Sequence, residues 1–194
     1  MTLEGVIVNV RRHIGRAIVA TLLCTVMPSG YGQSVTEDQV KAAYLFNFAK
    51  FVEWPAEAFA TAEATVNFCT LGRSPVADEL DSSVRGKNLN GHAVNIRTLH
   101  GLEEIKGCHL VFLSAGASKQ QQKLLQAAKG SPILLVAETP GFAQAGGAIN
   151  FVVENGRLIF EVNISAAEGA HLKISSKLLA LARIVTPNEA KQGQ

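Results

Sequence analysis

Residues 109–137 read HLVFLSAGASKQQQKLLQAAKGSPILLVA, and this stretch decides the fold class. His109 to Ser114 is a short apolar run without polar alternation, the pattern of a strand covered on both faces. Ser118 is a residue type that caps helices, so the spacing predicts a helix from there to Lys129, with Gly130 as its C′ residue. Pro132 to Ala137 is a second short apolar strand. Strand, helix and strand in quick succession form a βαβ unit, whose strands lie parallel.

The same alternation continues upstream. Thr65 to Leu71 (TVNFCTL) reads as a strand. Ser74 then caps a short helix with Pro75 at its first position, ending near Arg85-Gly86. Val94 to Leu99 is the next strand. Downstream the pattern changes: Ile149 to Glu154 and Arg157 to Asn163 flank Asn155-Gly156, a strong two-residue hairpin signal. That turn pairs Glu154 with Arg157, Phe151 with Phe160 and Asn150 with Glu161. Ile149, Phe151, Val153, Leu158, Phe160 and Val162 then share one face, expected to be core, and Asn150, Glu161 and Asn163 gather on the other. Two helical pieces, about 166–169 and 175–184, complete the chain. The expected fold is α/β: a single compact domain with a largely parallel central sheet, flanking helices and a C-terminal β-hairpin.

Before the first strand, Ser34/Glu37 and Thr36/Gln39 form two overlapping capping boxes. The helix they open is expected to run from Thr36 to Trp54, with Pro55 as its stop. At 100° per residue, Val40, Tyr44, Phe48, Phe51 and Val52 fall on one side and form its core face. Asn47 lies inside that apolar arc and is expected to find a partner or border a pocket. Phe46 lies on the opposite side with Lys50 and Glu53. A phenylalanine surface running from Phe46 to Trp54 and Phe59 would be an interface; an isolated exposed Phe would mean little.

The first 32 residues read as a secretory signal peptide. Arg11, Arg12 and Arg16 form a basic region, Ala17 to Val26 a short apolar run, and Ser29-Gly30-Tyr31-Gly32 a small-residue cleavage region ending at Gly32. The rival reading is an uncleaved anchor, but the run is shorter than the about 20 residues that span a bilayer. Leu23 stands before Cys24 where a lipobox needs a small residue. Removing residues 1–32 takes Lys+Arg from 18 to 15 and Asp+Glu from 16 to 15. The net charge of residues 33–194 is therefore about zero, with no clustered basic face for nucleic acid. About 160 residues suffice for one domain.

Cys69 and Cys108 remain, an even pair in an exported chain, which reads as a disulfide. The rival is a metal site with His109, but two Cys and one His without a short C-x-x-C are poor metal spacing. No phosphate-binding glycine loop and no G-x-S-x-G elbow is present. His92, His100, His109 and His171 lack helical pairing and read as surface or boundary residues. Ser114 to Ser118 lies between a strand end and a helix start, a common anion position, but no Lys or Arg falls in it and it reads as a plain connection. Asn150, Glu161 and Asn163 could orient a loop or bind a ligand; acid/base chemistry usually needs a second ionisable partner. No catalytic residue, cofactor or metal is expected.

Three motifs together resemble the YfiR family: VKAAYLFNFAKFVEWP (40–55), GGAINFVVENGRLIFEVN (146–163) and LKISSKLLALARIV (172–185). The resemblance runs in matching order over nearly all of residues 33–194. It implies a non-catalytic periplasmic protein that represses an inner-membrane diguanylate cyclase by binding its periplasmic domain. An outer-membrane lipoprotein would relieve that repression by sequestering the regulator. Less repression would mean more cyclic di-GMP and more biofilm exopolysaccharide. The resemblance also implies a compact α/β fold, a homodimer and a structural Cys69–Cys108 disulfide tied to redox state. The second cysteine pair of some members is missing between Ala137 and Asn163. Glu161 occupies the F-E-x-N position implicated in repression, and Asn163 completes the motif. Partner contact is accordingly expected at Glu161, Asn163, Asn150 and Phe46. A different class of reading is a periplasmic small-molecule sensor, with Asn47, Glu161 and Asn163 lining a pocket and a sensor kinase or transporter as the receiver.

Overall fold

The computed structural model describes residues 35–59, 61 and 64–187; the signal-peptide reading and Ser34 lie outside these residues. In chain order the elements are α1 (Glu37–Lys50), β1 (Val52–Glu53), β2 (Val66–Leu71), α2 (Pro75–Val84), β3 (Asn88–Leu89), β4 (His92–Leu99) and β5 (Leu110–Leu113). They continue with α3 (Gln121–Ala127), β6 (Leu134–Ala137), β7 (Ile149–Glu154), β8 (Arg157–Val162), α4 (Ile164–Gly169), β9 (Lys173–Ile174), α5 (Ser176–Leu179) and β10 (Arg183–Ile184). The main sheet runs β10-β8-β7-β6-β5-β2-β4-β3, and β1 pairs with β9 apart from it. Only the β7–β8 and β3–β4 pairs of the main sheet are antiparallel. The fold is the expected α/β arrangement, and the hairpin has the register read from Asn155-Gly156, with Asn150 opposite Glu161 and Glu154 opposite Arg157.

Strand alternation divides the core into two layers. On one face Phe68, Leu110, Phe112, Ile149, Phe151 and Phe160 pack against α1 and α2. Phe48 meets Phe160 at 4.9 Å and Phe151 at 5.5 Å between ring centroids. On the other face Cys69, Leu71, Val111, Leu113 and Phe142 pack against Leu124 of α3. Leu110 to Leu113 are buried on both faces, as a central parallel strand requires.

Four expectations are corrected. First, α1 ends at Lys50, short of Trp54. Thr36 and Gln39 do close the capping box, but the chain straightens after Phe51. Val52 and Glu53 pair with Ile174 and Lys173 there, and Ser175 N–H donates to Phe51 O. Those partners come from a distant segment and override local helix preference. Second, the buried stripe of α1 is Lys41, Ala42, Leu45, Phe48 and Ala49, and Asn47 is exposed. The small Ala42 and Ala49 let the helix approach closely, which turns its face away from the expected arc. Third, the chain after β5 turns at once into a 3₁₀ segment, Ala115–Gln120, and α3 begins only at Gln121 without a Ser118 side-chain cap. The carboxylate of Glu138 accepts the Ala115 N–H at 3.0 Å, so the cap comes from elsewhere in the chain. Fourth, the helix expected to reach Ile184 stops at Leu179, and β10 joins the sheet parallel to β8, with Arg183 beside Glu161. Val153 also departs from the expected core face: it is exposed, on the wall of a surface cleft that it shares with Lys41 of α1.

Candidate functional site

The hairpin and the last strand together build a polar site at one edge of the sheet. Period-two alternation sends Phe160 and Val162 into the α1 layer and Glu161 to the opposite face. There Gln144 Nε2 donates to Glu161 Oε2 at 3.1 Å, and Arg183 Nη1 lies 3.6 Å from Glu161 Oε1. Arg183 sits there because β10 pairs with β8 in that register. Its guanidinium also makes a two-pronged contact with Glu154 across the hairpin tip. That contact holds the Glu154 carboxyl below its usual range and raises Arg183 further. Both groups are exposed, so the pair is worth little to stability. Glu161 itself is only 7% exposed.

The remaining predicted residues divide. Asn163 is fully buried and caps α4: its Oδ1 accepts Ala166 N–H at 3.0 Å, while its Nδ2 donates to Ala143 O at 2.7 Å. It ties the loop after β6 to the start of α4. Asn150 is also fully buried beside Glu161, and neither its Oδ1 nor its Nδ2 has a hydrogen-bond partner among the described residues. Phe46 is elsewhere. It is half-buried in the α1–α2 layer, with the Lys87 ammonium 5.1 Å above its ring, a cation–π contact. The structure thus brings Asn150, Glu161 and Asn163 together and leaves Phe46 on the other face of the sheet.

Two groups were not legible in the sequence. Val153, Leu181 and Ile184 are exposed at 52, 74 and 47% along the hairpin and last strand; Val153 and Ile184 fall on the α1 face with Leu158 and Val162, opposite Glu154 and Arg183. Exposed apolar side chains at a sheet edge suit a protein contact; the signal available was Leu181 and Ile184, which helical phasing hid. The second group is aromatic. Phe59 lies stacked between His92 and His109, with centroids at 4.5 and 4.8 Å. His109 Nδ1 accepts Asn67 N–H at 3.1 Å, its Nε2 bonds Ala58 O at 3.1 Å, and Trp54 Nε1 donates to His109 O. The supposed phenylalanine surface is therefore a packed clasp in which histidines bind backbone. Burial holds His109 below the usual histidine range.

Cys69 and Cys108 are bonded, with Cα atoms 5.9 Å apart, joining β2 to the residues that lead into β5. Lys41, buried in α1, bridges Glu37 at 2.8 Å and Glu138 at 2.6 Å. Burial would lower its pKa, but hydrogen bonds to Glu138 and Glu37 raise it on balance. Among the described residues no helix is long and apolar enough to cross a membrane, and no group of three His, Cys, Asp or Glu side chains is arranged to hold a metal. The site at the sheet edge offers exchangeable ion pairs and apolar contacts, the chemistry of binding.

A family model described as YfiR/HmsC-like matches residues 38–183, which spans α1 through the first residue of β10. No curated protein matches the chain.

Proposed function

The chain belongs to the YfiR/HmsC-like family, and from that membership we propose that it is a periplasmic protein that binds and represses an inner-membrane diguanylate cyclase. The family suggests a periplasmic regulator of cyclic di-GMP signalling and a regulatory rather than catalytic role. The finer reading is ours. Residues 1–32 are a signal peptide, and residues 33–194 act in the periplasm as a homodimer. The regulator grips the periplasmic domain of the cyclase and lowers cyclic di-GMP and exopolysaccharide output. An outer-membrane lipoprotein withdraws it from that complex.

The observation that carries this reading is the family match over residues 38–183. The sheet edge supports it. Arg183 divides its contacts between Glu154 and Glu161, so a partner's charged group can replace one of them at little cost. The exposed Leu181 adds apolar area two residues before Arg183, with Asn150 opposite Glu161 in the ladder and Asn163 two residues further along the chain. Phe46 contributes through the α1 face.

The test is cyclic di-GMP in a deletion strain complemented with wild type or with Glu161→Lys. The expected result is a rise on deletion, a fall with wild type and no fall with Glu161→Lys that is folded and present at equal amount. A level that never moves on deletion refutes the repressor reading.

A further inference from the structure

The order of the strands creates one singular place in the sheet. From the carboxyl end of β2 the chain passes through α2 to β4 on one side. From the carboxyl end of β5 it passes through 115–120 and α3 to β6 on the other. The two helices cover opposite faces. Neighbouring strands whose connections depart in opposite directions leave a crevice between their carboxyl ends, where open α/β sheets take ligands.

The residues at this crevice have the chemistry of a site. Gly72 leaves β2 at φ +89°, and a Cβ there would fall on Ser114 Oγ and Ala117 Cβ, so only bare backbone passes. Thr70 Oγ1 and Ser114 Oγ lie near it, each residue 1% exposed and each hydroxyl without a hydrogen-bond partner among the described residues. Buried hydroxyls are rarely left so. Ser114 and Ala117 fill the β5 side of Gly72, and the open space lies on its β4 side, where Thr70 lines a cavity of about 430 Å³ whose wall also holds Arg73, Ser74, Asp78 and Thr98. Thr98 stands beside Thr70 in the ladder. The first turn of the ten-residue helix α2 closes the cavity, and its end of the helix dipole favours negative charge. Ser74 Oγ already takes the Val76 N–H. The amides of Arg73 and Ser74 have no backbone acceptor among the described residues.

We propose that the cavity at the carboxyl ends of β2 and β4, beneath the first turn of α2 and beside the switch point, binds a small molecule through a carboxylate or phosphate group. The hydroxyls of Thr70 and Thr98 and the amides of Arg73 and Ser74 donate to its oxygens, and the Arg73 guanidinium balances its charge. Asp78 on the rim favours a singly charged group over a polyanion.

The test titrates the ¹⁵N-labelled protein, as its host produces and processes it, with inorganic phosphate and separately with acetate. Saturable amide shifts centred on Gly72 to Val76 and Thr98 are expected. Whichever probe saturates at lower concentration identifies the group. Arg73→Ala, at an exposed position, should weaken binding by about tenfold, the scale of one lost charge-assisted hydrogen bond. Thr70→Val should also weaken binding while melting at or above the wild-type temperature, because it removes an unpartnered hydroxyl. Shifts that rise linearly, scatter over surface lysines, or remain equal in both variants overturn the proposal.

Discussion

Breaking the Cys69–Cys108 bond should cost this domain a large share of its stability. The bond spans 39 residues of sequence, and within that loop lie α2, β3 and β4. In the chain-entropy treatment a loop of that length restricts the unfolded chain by about 4 kcal/mol. In the folded state the two strands it joins are already paired, Phe68 beside Leu110, so the native fold survives the cut and the gain falls to the unfolded chain. Both sulfurs are buried. Serine at these positions would add an unsatisfied hydroxyl, whereas a Cys69→Ala/Cys108→Ala pair isolates the cross-link. The assay is urea unfolding of the oxidised protein, the same protein under dithiothreitol, and the double alanine variant. With a slope of about 2 kcal/mol per molar urea, the midpoint should fall by about 2 M in both altered forms. Domains have only about 5–15 kcal/mol in hand, so the reduced form should also lose soluble yield. Coincident midpoints for oxidised and reduced protein would refute the reasoning.

Other expectations follow from the ion pair, the cap and the clasp. Lys41→Met should destabilise by about 3–5 kcal/mol, because it strands the Glu138 carboxylate; adding Glu138→Gln, which keeps an acceptor for Ala115 N–H, should restore most of the loss in a thermal-melt double-mutant cycle. Asn163→Ala should cost about 2–4 kcal/mol by removing the α4 cap and the donor to Ala143 O, read as a lowered urea midpoint. His109 has its folded pKa depressed by burial, with His92 across Phe59 adding repulsion. Its contribution is therefore present above the unfolded histidine pKa of about 6.5 and is lost as pH falls below it. Calorimetry from about pH 7.5 to 5 should show a steeper fall in Tm for wild type than for His109→Gln, and parallel curves would count against it.

How far the sequence could be read depended on how local the deciding interaction was. The hairpin register, the Ser74-Pro75 helix start and the Thr36/Gln39 box are each set by residues within a few positions, and the structure has them where the motifs place them. Three of the misreadings turn on partners far along the chain. Trp54 leaves the helix because Ile174 and Lys173 pair with the segment before it. The 115–120 turn takes its cap from Glu138, and Arg183–Ile184 is a strand because β8 has an open edge. The site divides in the same way. The face shared by Asn150, Glu161 and Asn163 follows from the hairpin turn, whereas Arg183 and Gln144 reach Glu161 only through tertiary packing. A helical wheel sees one helix: it sets Phe46 away from the core face of α1 but cannot show the Lys87 ammonium standing over its ring.

The packing of α1 on the hairpin also sets a timetable. Phe48 rests on Phe151 and Phe160, roughly 100 residues further on, so in a chain that crosses the membrane N-terminus first that partner arrives only after this length has followed. Until then α1 is a short helix with an uncovered apolar stripe, and such helices are marginal in water. Cys69 and Cys108 both emerge before the hairpin does. The covalent link can therefore form first and hold β2 and β5 as a template while the N-terminal helix waits for the strands that will close over it.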